Sequence, residues 1–495
     1  MKKYPVLFFS LALALLACSS PTGGGGGSVN GGSGLGGGGL GGSKTVFYVK
    51  ATGTGDGSSW DNASGDIQEM IDKAAEAGGG EIWVAAGTYK PAHIPENASS
   101  DNRDKTFQLK PKVHIYGGFG GTEAVRSARD WGGNKTVLSG DFDCDDSGFA
   151  NMTENAYHVV IAVGIPNDGQ TMLDGFTIKG GNANGSDFIT VGDDYTVVRF
   201  SGSGVYNDNS APVLTNVTIS GNWANNDGGG MYNDNSSPVL TSMTISDNQT
   251  SGAGGGMYNN SGSAPILTNV IISCNSASSK GGGVYNDNSS PVLTSVTISG
   301  NHASNGGGMS NWHSSPVLTN VIISGNEAAS SGGGMDNDNS SPILTNVTIS
   351  DNSAPSNTGG GMYNVNSSFQ IRNSIIWNNG GAVNNNIWPY DSITTSLRNS
   401  MVEGINDTSN GNLEGTTDPL FINSSSGDYR LQSGSPVINK GNNDLYPASA
   451  GDTIFSSLSL SEAAKVQINA ALAKDCGGGN RINGDAIDMG AYETP

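Results

Sequence analysis

Positive charge is scarce in this chain. Lys and Arg number 23 against 44 Asp and Glu in 495 residues, for a formal net charge of -21. A surface of that sign repels nucleic-acid phosphates, so nucleic acid is excluded as a partner. Hydrophobic side chains are few, at 35%, which excludes a thick multilayer core. Charged residues make up only 14%, against about 25% in an ordinary domain, so the chain also lacks the charge excess that holds many disordered proteins open. Cysteine is rarer still: the 4 residues Cys18, Cys144, Cys274 and Cys476 have no close spacing, which argues against a disulfide framework. The space is filled by 76 Gly together with Asn, Ser and Thr, a composition suited to thin, repetitive β structure.

Lys2 and Lys3 precede an apolar run from Val6 to Ala17, too short for an ordinary membrane span and read as a secretion signal. Leu15-Leu16-Ala17-Cys18 resembles the lipobox of bacterial lipoproteins, which implies a lipid on Cys18 and a membrane as partner. Ser19 to Ser43 is almost all Gly and Ser, a flexible tether. The chain divides into a signal peptide (1–17), a lipid-anchor Cys with its Gly-rich tether (18–44), an N-terminal cap with the first coils (45–200), regular repeats (201–385), and C-terminal coils with a closing module (386–495). The expected address is the cell envelope at the outer-membrane surface.

One unit recurs from about residue 202 to 379. Prolines at 212, 238, 265, 291, 316 and 342 are spaced by 26, 27, 26, 25 and 26 residues, and so constant a period means that each unit is one coil of a solenoid. Leu214, Val217 and Ile219 alternate with Thr215, Thr218 and Ser220 around Asn216, which reads as two short strands with a corner, apolar side chains inward and hydroxyls outward. Gly230-Met231-Tyr232-Asn233 supplies a third. The expected fold is an all-β solenoid, a parallel β-helix of about three short strands per 26-residue coil. A leucine-rich repeat would fit the Leu214 to Asn222 frame, but the polar stretch Trp223 to Pro238 offers no cover for a convex side.

Asparagine occupies two columns without exception: Asn207, Asn233, Asn259, Asn286, Asn311, Asn337 and Asn364, then Asn222, Asn248, Asn275, Asn301, Asn326, Asn352 and Asn379. Stacked amides can hydrogen-bond from coil to coil, so both columns read as structural ladders. The Gly triplets beginning at Gly228, Gly254, Gly281, Gly306, Gly332 and Gly359 read as tight turns or close approaches. Ahead of the repeats, Ile67, Met70, Ile71, Ala74 and Ala75 follow helical spacing. Asp66 with Glu69 starts this helix and Gly78 to Gly80 stop it, so it reads as an N-terminal cap over the open end. Glu81 to Tyr89 then reads as the first strand and turn.

Tyr48-Val49-Lys50, Gly87-Thr88-Tyr89, Tyr116-Gly117-Gly118-Phe119, Arg129-Asp130-Trp131, Leu138-Ser139-Gly140-Asp141 and Leu173-Asp174-Gly175-Phe176 are similar to the N-terminal part of exported bacterial proteins of the pectate-lyase-like fold. That resemblance implies a right-handed parallel β-helix. The Gly-Gly-Gly-Met-Tyr-Asn units resemble repeats of chlamydial polymorphic outer-membrane proteins. Asp418-Pro419-Leu420-Phe421, Gly427-Asp428-Tyr429-Arg430-Leu431, Ser433-Gly434-Ser435-Pro436 and Ile487 to Glu493 resemble the closing module called choice-of-anchor Q. Ser461 to Lys474 departs from that module and reads as an extra capping helix.

Lyase chemistry on uronates wants a base beside carboxylates, and hydrolysis wants paired carboxylates. Between Arg199 and Arg372 the sequence has no other Arg, one Lys (Lys280), one Glu (Glu327) and two His (His302, His313). The repeats are therefore expected to bind or display, not to catalyse. His302 and Glu327 share a column in adjacent coils, and Trp312-His313 replaces the usual Asp-Asn, so these residues are candidate binding groups. Asp141, Asp143 and Asp145 alternate as oxygen ligands do in calcium loops, which makes calcium the candidate cofactor. The function expected is a monomeric cell-surface lipoprotein with a rigid body for adhesion, structural display or contact with polysaccharide or a host or neighbour-cell surface. The alternative is a polysaccharide lyase or glycoside hydrolase with its site around 100–200, where Lys105, Lys110, Lys112, His114, Arg126, Arg129 and His158 concentrate.

Overall fold

The computed structural model describes residues 45–98, 101–192, 194–355, 358–380, 386–388, 397–447, 449–452, 455, 462–482 and 486–494. The signal, Cys18 and tether lie outside them. The described chain winds as a parallel β-solenoid. Three long sheets run along it, here named A, B and C, with 12, 11 and 10 strands among the described residues. A fourth ladder of 6 very short strands, beginning at Asn182–Ala183 and Trp223–Ala224, adds a side that the three-strand expectation did not contain. Parallel crossovers of this kind wind right-handed.

Register follows the repeat. Leu214, Leu240, Leu267, Leu293, Leu318 and Leu344 stack in sheet A. Ile219 stacks on Ile245, Ile272, Ile298, Ile323 and Ile349 in sheet B, and Met231 on Met257, Val284, Met309 and Met335 in sheet C. These side chains form one buried core. Between sheets A and B each coil turns on a single left-handed residue, Asn216 (φ 52°), Ser242, Asn269, Ser295, Asn320, Asn346 or Asn373, a backbone that Asn tolerates better than most residues. The first glycine of each triplet also has positive φ, as at Gly228 (66°), whereas the third meets the next coil: a Cβ on Gly230 would lie 2.5 Å from the Gly256 carbonyl oxygen.

Both asparagine columns lie inside. In the first, each Nδ2 donates to the next Oδ1, from Asn207 to Asn233 at 2.7 Å through to Asn337 to Asn364 at 2.9 Å. The second binds more tightly to its surroundings. Asn301 donates from Nδ2 to Asn326 Oδ1 (2.9 Å) and to the Ile272 carbonyl (3.0 Å), while its Oδ1 accepts from both the backbone N and Nδ2 of Asn275 at 3.0 Å.

The N-terminal end is covered by helix α1, Ile67–Glu76. Asp66 caps it by accepting from the Glu69 backbone N at 3.1 Å, and Ile67, Met70, Ile71 and Ala74 enter the common core. The first strand is not Gly80–Ala85 but Val46–Val49, which pairs with it in parallel before the helix begins.

The C-terminal segment departs furthest from expectation. Helix α2, Glu462–Leu472, does not cap an end. It lies on the outer face of sheet A, where Ala464, Ile468 and Leu472 with Phe455 and Ala450 cover the stripe Val213, Val239, Ile266, Val292 and Val317. Segments on either side of the helix cover sheet B: Leu431, Val437 and Met489 cover Ile375 and Met401, and Tyr429 with Ala491 covers Ile322. The corner asparagines hold this strap by its backbone, Asn320 donating to Lys474 O (2.9 Å), Asn346 to Asp488 O (2.9 Å) and Asn373 to Asn442 O (2.9 Å). Hydroxyls expected to face solvent are therefore buried beneath it, Thr348 among them. Among the described residues no helix is long and apolar enough to cross a membrane.

The ladder makes a testable demand. Replacing Asn301 by Ala leaves the Asn275 amides, Asn326 Oδ1 and Ile272 O short of partners in a dry interior, and is expected to cost about 3 kcal/mol or more. Asn269→Ala, at an exposed corner with φ 54°, should cost about 1–2 kcal/mol through backbone strain alone. Thermal melting of both variants checks this, and equal losses would refute a special role for the ladder.

Candidate functional site

The strap leaves the first coils of sheet A open on the outside. There the register aligns Tyr48, Trp83, Tyr116 and Asp174 in one column and Glu81, His114 and Met172 in its neighbour. The loop that follows Phe119 folds back over these columns. Gly118, at φ 90°, lets it approach, since a Cβ there would meet Trp131 Cα at 2.7 Å. Asp130 then accepts from the backbone N of Gly132 and Gly133, both at 3.0 Å, and fixes the turn.

This folding brings two arginines onto the sheet. Arg126 donates from Nη1 to Glu81 Oε1 (2.8 Å) and to the Tyr116 hydroxyl (2.8 Å), and its guanidinium lies 4.6 Å from the Tyr116 ring. Arg129 is buried, pairs with Asp174 and donates to the Gly117 and Asp174 carbonyls at 3.2 and 3.1 Å. It lies 5.2 Å from the ring of Trp131, which is 44% exposed. Glu81 also accepts from Trp83 Nε1 (3.0 Å), and Asp174 from Asn216 Nδ2 (2.9 Å). His114 Nδ1 is 3.0 Å from the Tyr116 hydroxyl, and burial pushes the Tyr116 phenol up to about 12. Glu81, Arg126, Ser127, Arg129 and Trp131 line an open cavity of about 480 Å³.

Both carboxylates are held by guanidinium donors, Arg129 with both of its terminal nitrogens engaged. The exposed groups are the Trp131 face and the outer edge of Arg126, whose side chain is 46% exposed, an aromatic platform beside a planar donor.

Other candidates are dispersed. His302 and Glu327 do meet across the fourth ladder, Nδ1 to Oε2 at 3.8 Å, but both side chains are more than half exposed, where an ion pair is worth little. Trp312 belongs to sheet C, in the column of Asp287 and Asp338. It packs beside Tyr285 at the end of the ring stack Tyr206, Tyr232, Tyr258 and Tyr285. His313 fills a left-handed corner (φ 49°) and sets its edge on Trp312 at 4.3 Å. Thus the His302 pair and the Trp312 pair sit on different ladders. Of the calcium candidates, Asp141 and Asp145 come together with Asp146 and Glu154, whereas Asp143 is exposed and outside the cluster. The bases read between 100 and 200 also separate: Arg126 and Arg129 line the cavity, His114 stops at the Tyr116 hydroxyl, Lys110 lines another cavity of about 450 Å³ beside α1, and His158 is buried against Tyr206. The partners of Arg126 and Arg129 are not legible in the sequence. Glu81 and Asp174 are each 45 residues away, and only coil register joins them.

No family model matches the sequence, and no curated protein matches it. Among solved structures, the chain is similar to pectate lyase Pel9A, with a TM-score of 0.50 and 12% identity over 91% of this chain and 96% of that one. It is also similar to the A-module of the Azotobacter vinelandii mannuronan C-5 epimerase AlgE4, with a TM-score of 0.30 and 14% identity over 65% of this chain and 97% of that one. XylC in complex with xylose gives a TM-score of 0.38 and 9% identity over 90% of this chain and 98% of that one. The likeness to Pel9A shows a shared right-handed parallel β-helix fold.

His158 carries a pH dependence. Its Nδ1 donates to Gly202 O at 2.9 Å, Nε2 is enclosed without a partner, and burial pulls the imidazole down to about 4. Unfolded, it would protonate near 6.5, so the unfolded state takes up the extra proton as pH falls from about 6.5 to 4, and stability drops over that window. The shift corresponds to about 3 kcal/mol. His158→Gln should flatten the slope of stability against pH between 4 and 6.5; an unchanged slope would exclude His158 as its source.

Proposed function

We propose that the chain is a cell-surface lipoprotein whose β-helix body contacts neutral carbohydrate through the cavity beside Trp131. The observation that carries this reading is an exposed indole beside Arg126 on a rigid sheet, in a cavity whose arginines already face Glu81 and Asp174. A sugar ring offers an apolar face to the indole and hydroxyls to the outer guanidinium edge and to Ser127. Pairing cancels the local positive charge, and the chain as a whole is strongly acidic, so a neutral glycan suits the site better than a polyanion. Binding is favoured over turnover because Glu81 and Asp174 are held in place by arginine, tryptophan and asparagine donors.

Glycan arrays probed with the lipid-free protein should yield neutral glycans as ligands. Trp131→Ala and Arg126→Ala should each weaken binding about tenfold or more while the protein stays folded at the assay temperature. Incubation with neutral and uronic polysaccharides should produce neither new reducing ends nor unsaturated products. Turnover abolished by Arg126→Ala would replace the binding reading with an enzymatic one.

The lipid anchor and envelope location rest on the Lys2 to Cys18 segment and the tether. Metabolic labelling with a fatty acid should mark the wild-type chain and fail in Cys18→Ser. Label retained in that variant would remove the anchor from the proposal.

A further inference from the structure

The turn after Ser139 gathers Asp141, Asp145, Asp146 and Glu154 so that one oxygen from each lies within 4.8 Å of all the others. Cys144, at φ 61°, reverses the chain, and its backbone N donates to Asp141 Oδ1 at 2.6 Å. Four carboxylates this close repel one another strongly unless something positive stands among them. The cations nearby bond to backbone: Lys90 Nζ donates to the Phe142 carbonyl and Arg103 Nε to the Asn155 carbonyl at 2.6 Å.

Two further features adjoin this cluster. Asp146 Oδ1 and Glu154 Oε1 are enclosed and have no hydrogen-bond partner. Asn155 is wholly buried, its Nδ2 donates to Asp146 Oδ2 at 2.8 Å, and its Oδ1 has no partner either. Because both atoms belong to one amide, that Oδ1 lies within about 5 Å of Asp146 Oδ2. Buried oxygens without donors are rare unless an ion or water completes them.

We propose that Asp141, Asp145, Asp146 and Glu154 form a calcium site that pins this turn to the coil. Calcium holds its oxygens at about 2.4 Å, so ligands on opposite sides stand about 4.8 Å apart. Magnesium, at about 2.1 Å, demands a near-ideal octahedron and keeps several of its waters, so a cluster of four carboxylates suits calcium better.

The full chain, stripped with chelator, is titrated with calcium chloride in a calorimeter and melted with and without millimolar calcium or magnesium. One equivalent of calcium should bind with a submillimolar dissociation constant and raise the melting temperature by several degrees, with magnesium at least tenfold weaker. The double variant Asp146→Asn, Glu154→Gln should lose that rise. Glu154→Gln alone serves if the double variant fails to fold, because Glu154 Oε1 has no hydrogen-bond partner to lose. Absence of calcium heat in the wild-type chain, or an equal rise in the variant, would overturn the proposal.

Discussion

The amide ladder of the second asparagine column is the interaction on which the solenoid depends. A coil of about 26 residues cannot bury a core by itself, so each must hold its neighbour in register. Strand pairing does this on the faces but lapses at the turns. At the turn after sheet B the lapse is bridged by asparagine. Asn275, Asn301 and Asn326 each pass one side-chain bond forward, receive a backbone bond as well, and tie down a core carbonyl from the coil behind. A slip of one residue would bury unpaired amides at every rung, so the ladder fixes register as well as adding stability. Coil length is thereby constrained, and with it the alignment of every outward column.

Fixed outward columns explain how so polar a chain acquires a second layer. In the strand triplet Val-Leu-Thr the leucine points in, which leaves valine outside. One outward valine is unremarkable, but register multiplies it into the stripe Val213 to Val317. A continuous apolar face needs a cover, and the C-terminal strap supplies it. The corner between sheets A and B serves this docking too. Asn320, Asn346 and Asn373 adopt the left-handed turn and present Nδ2 to the passing backbone, whereas Asn269 at the same corner is exposed.

Legibility in the sequence follows the distance over which an interaction is specified. The coil, the asparagine columns, the corner at Asn216 and helix α1 are set by residues within one period, so periodicity and capping chemistry reveal them. The strap is not. Whether Ser461 to Lys474 caps an end or lies along a side depends on which apolar surface lacks a cover, and that surface exists only after the coils stack. The acidic loop shows the same limit at short range. Alternation suggested Asp141, Asp143 and Asp145, but the reversal at Cys144 turns Asp143 outward and brings Asp146 and Glu154 in. The cavity residues were readable as residue types and unreadable as a set, because Arg126 to Glu81 and Arg129 to Asp174 are contacts between coils.

The scarcity of positive charge also takes on a structural meaning. Arg129 and Arg199 are buried against Asp174 and Asp104, and Arg126 reaches Glu81. Burying a guanidinium is tolerable only with a carboxylate and carbonyls around it. These arginines therefore fix irregular loops onto the first coils, where no ladder does that work, and they concentrate where the repeat has not yet begun. The consequence is electrostatic. Guanidinium groups committed to internal pairs project little field into solvent, so the region richest in arginine does not act as a basic patch. Under the proposed function, recognition there rests on shape and on the exposed indole of Trp131 more than on charge.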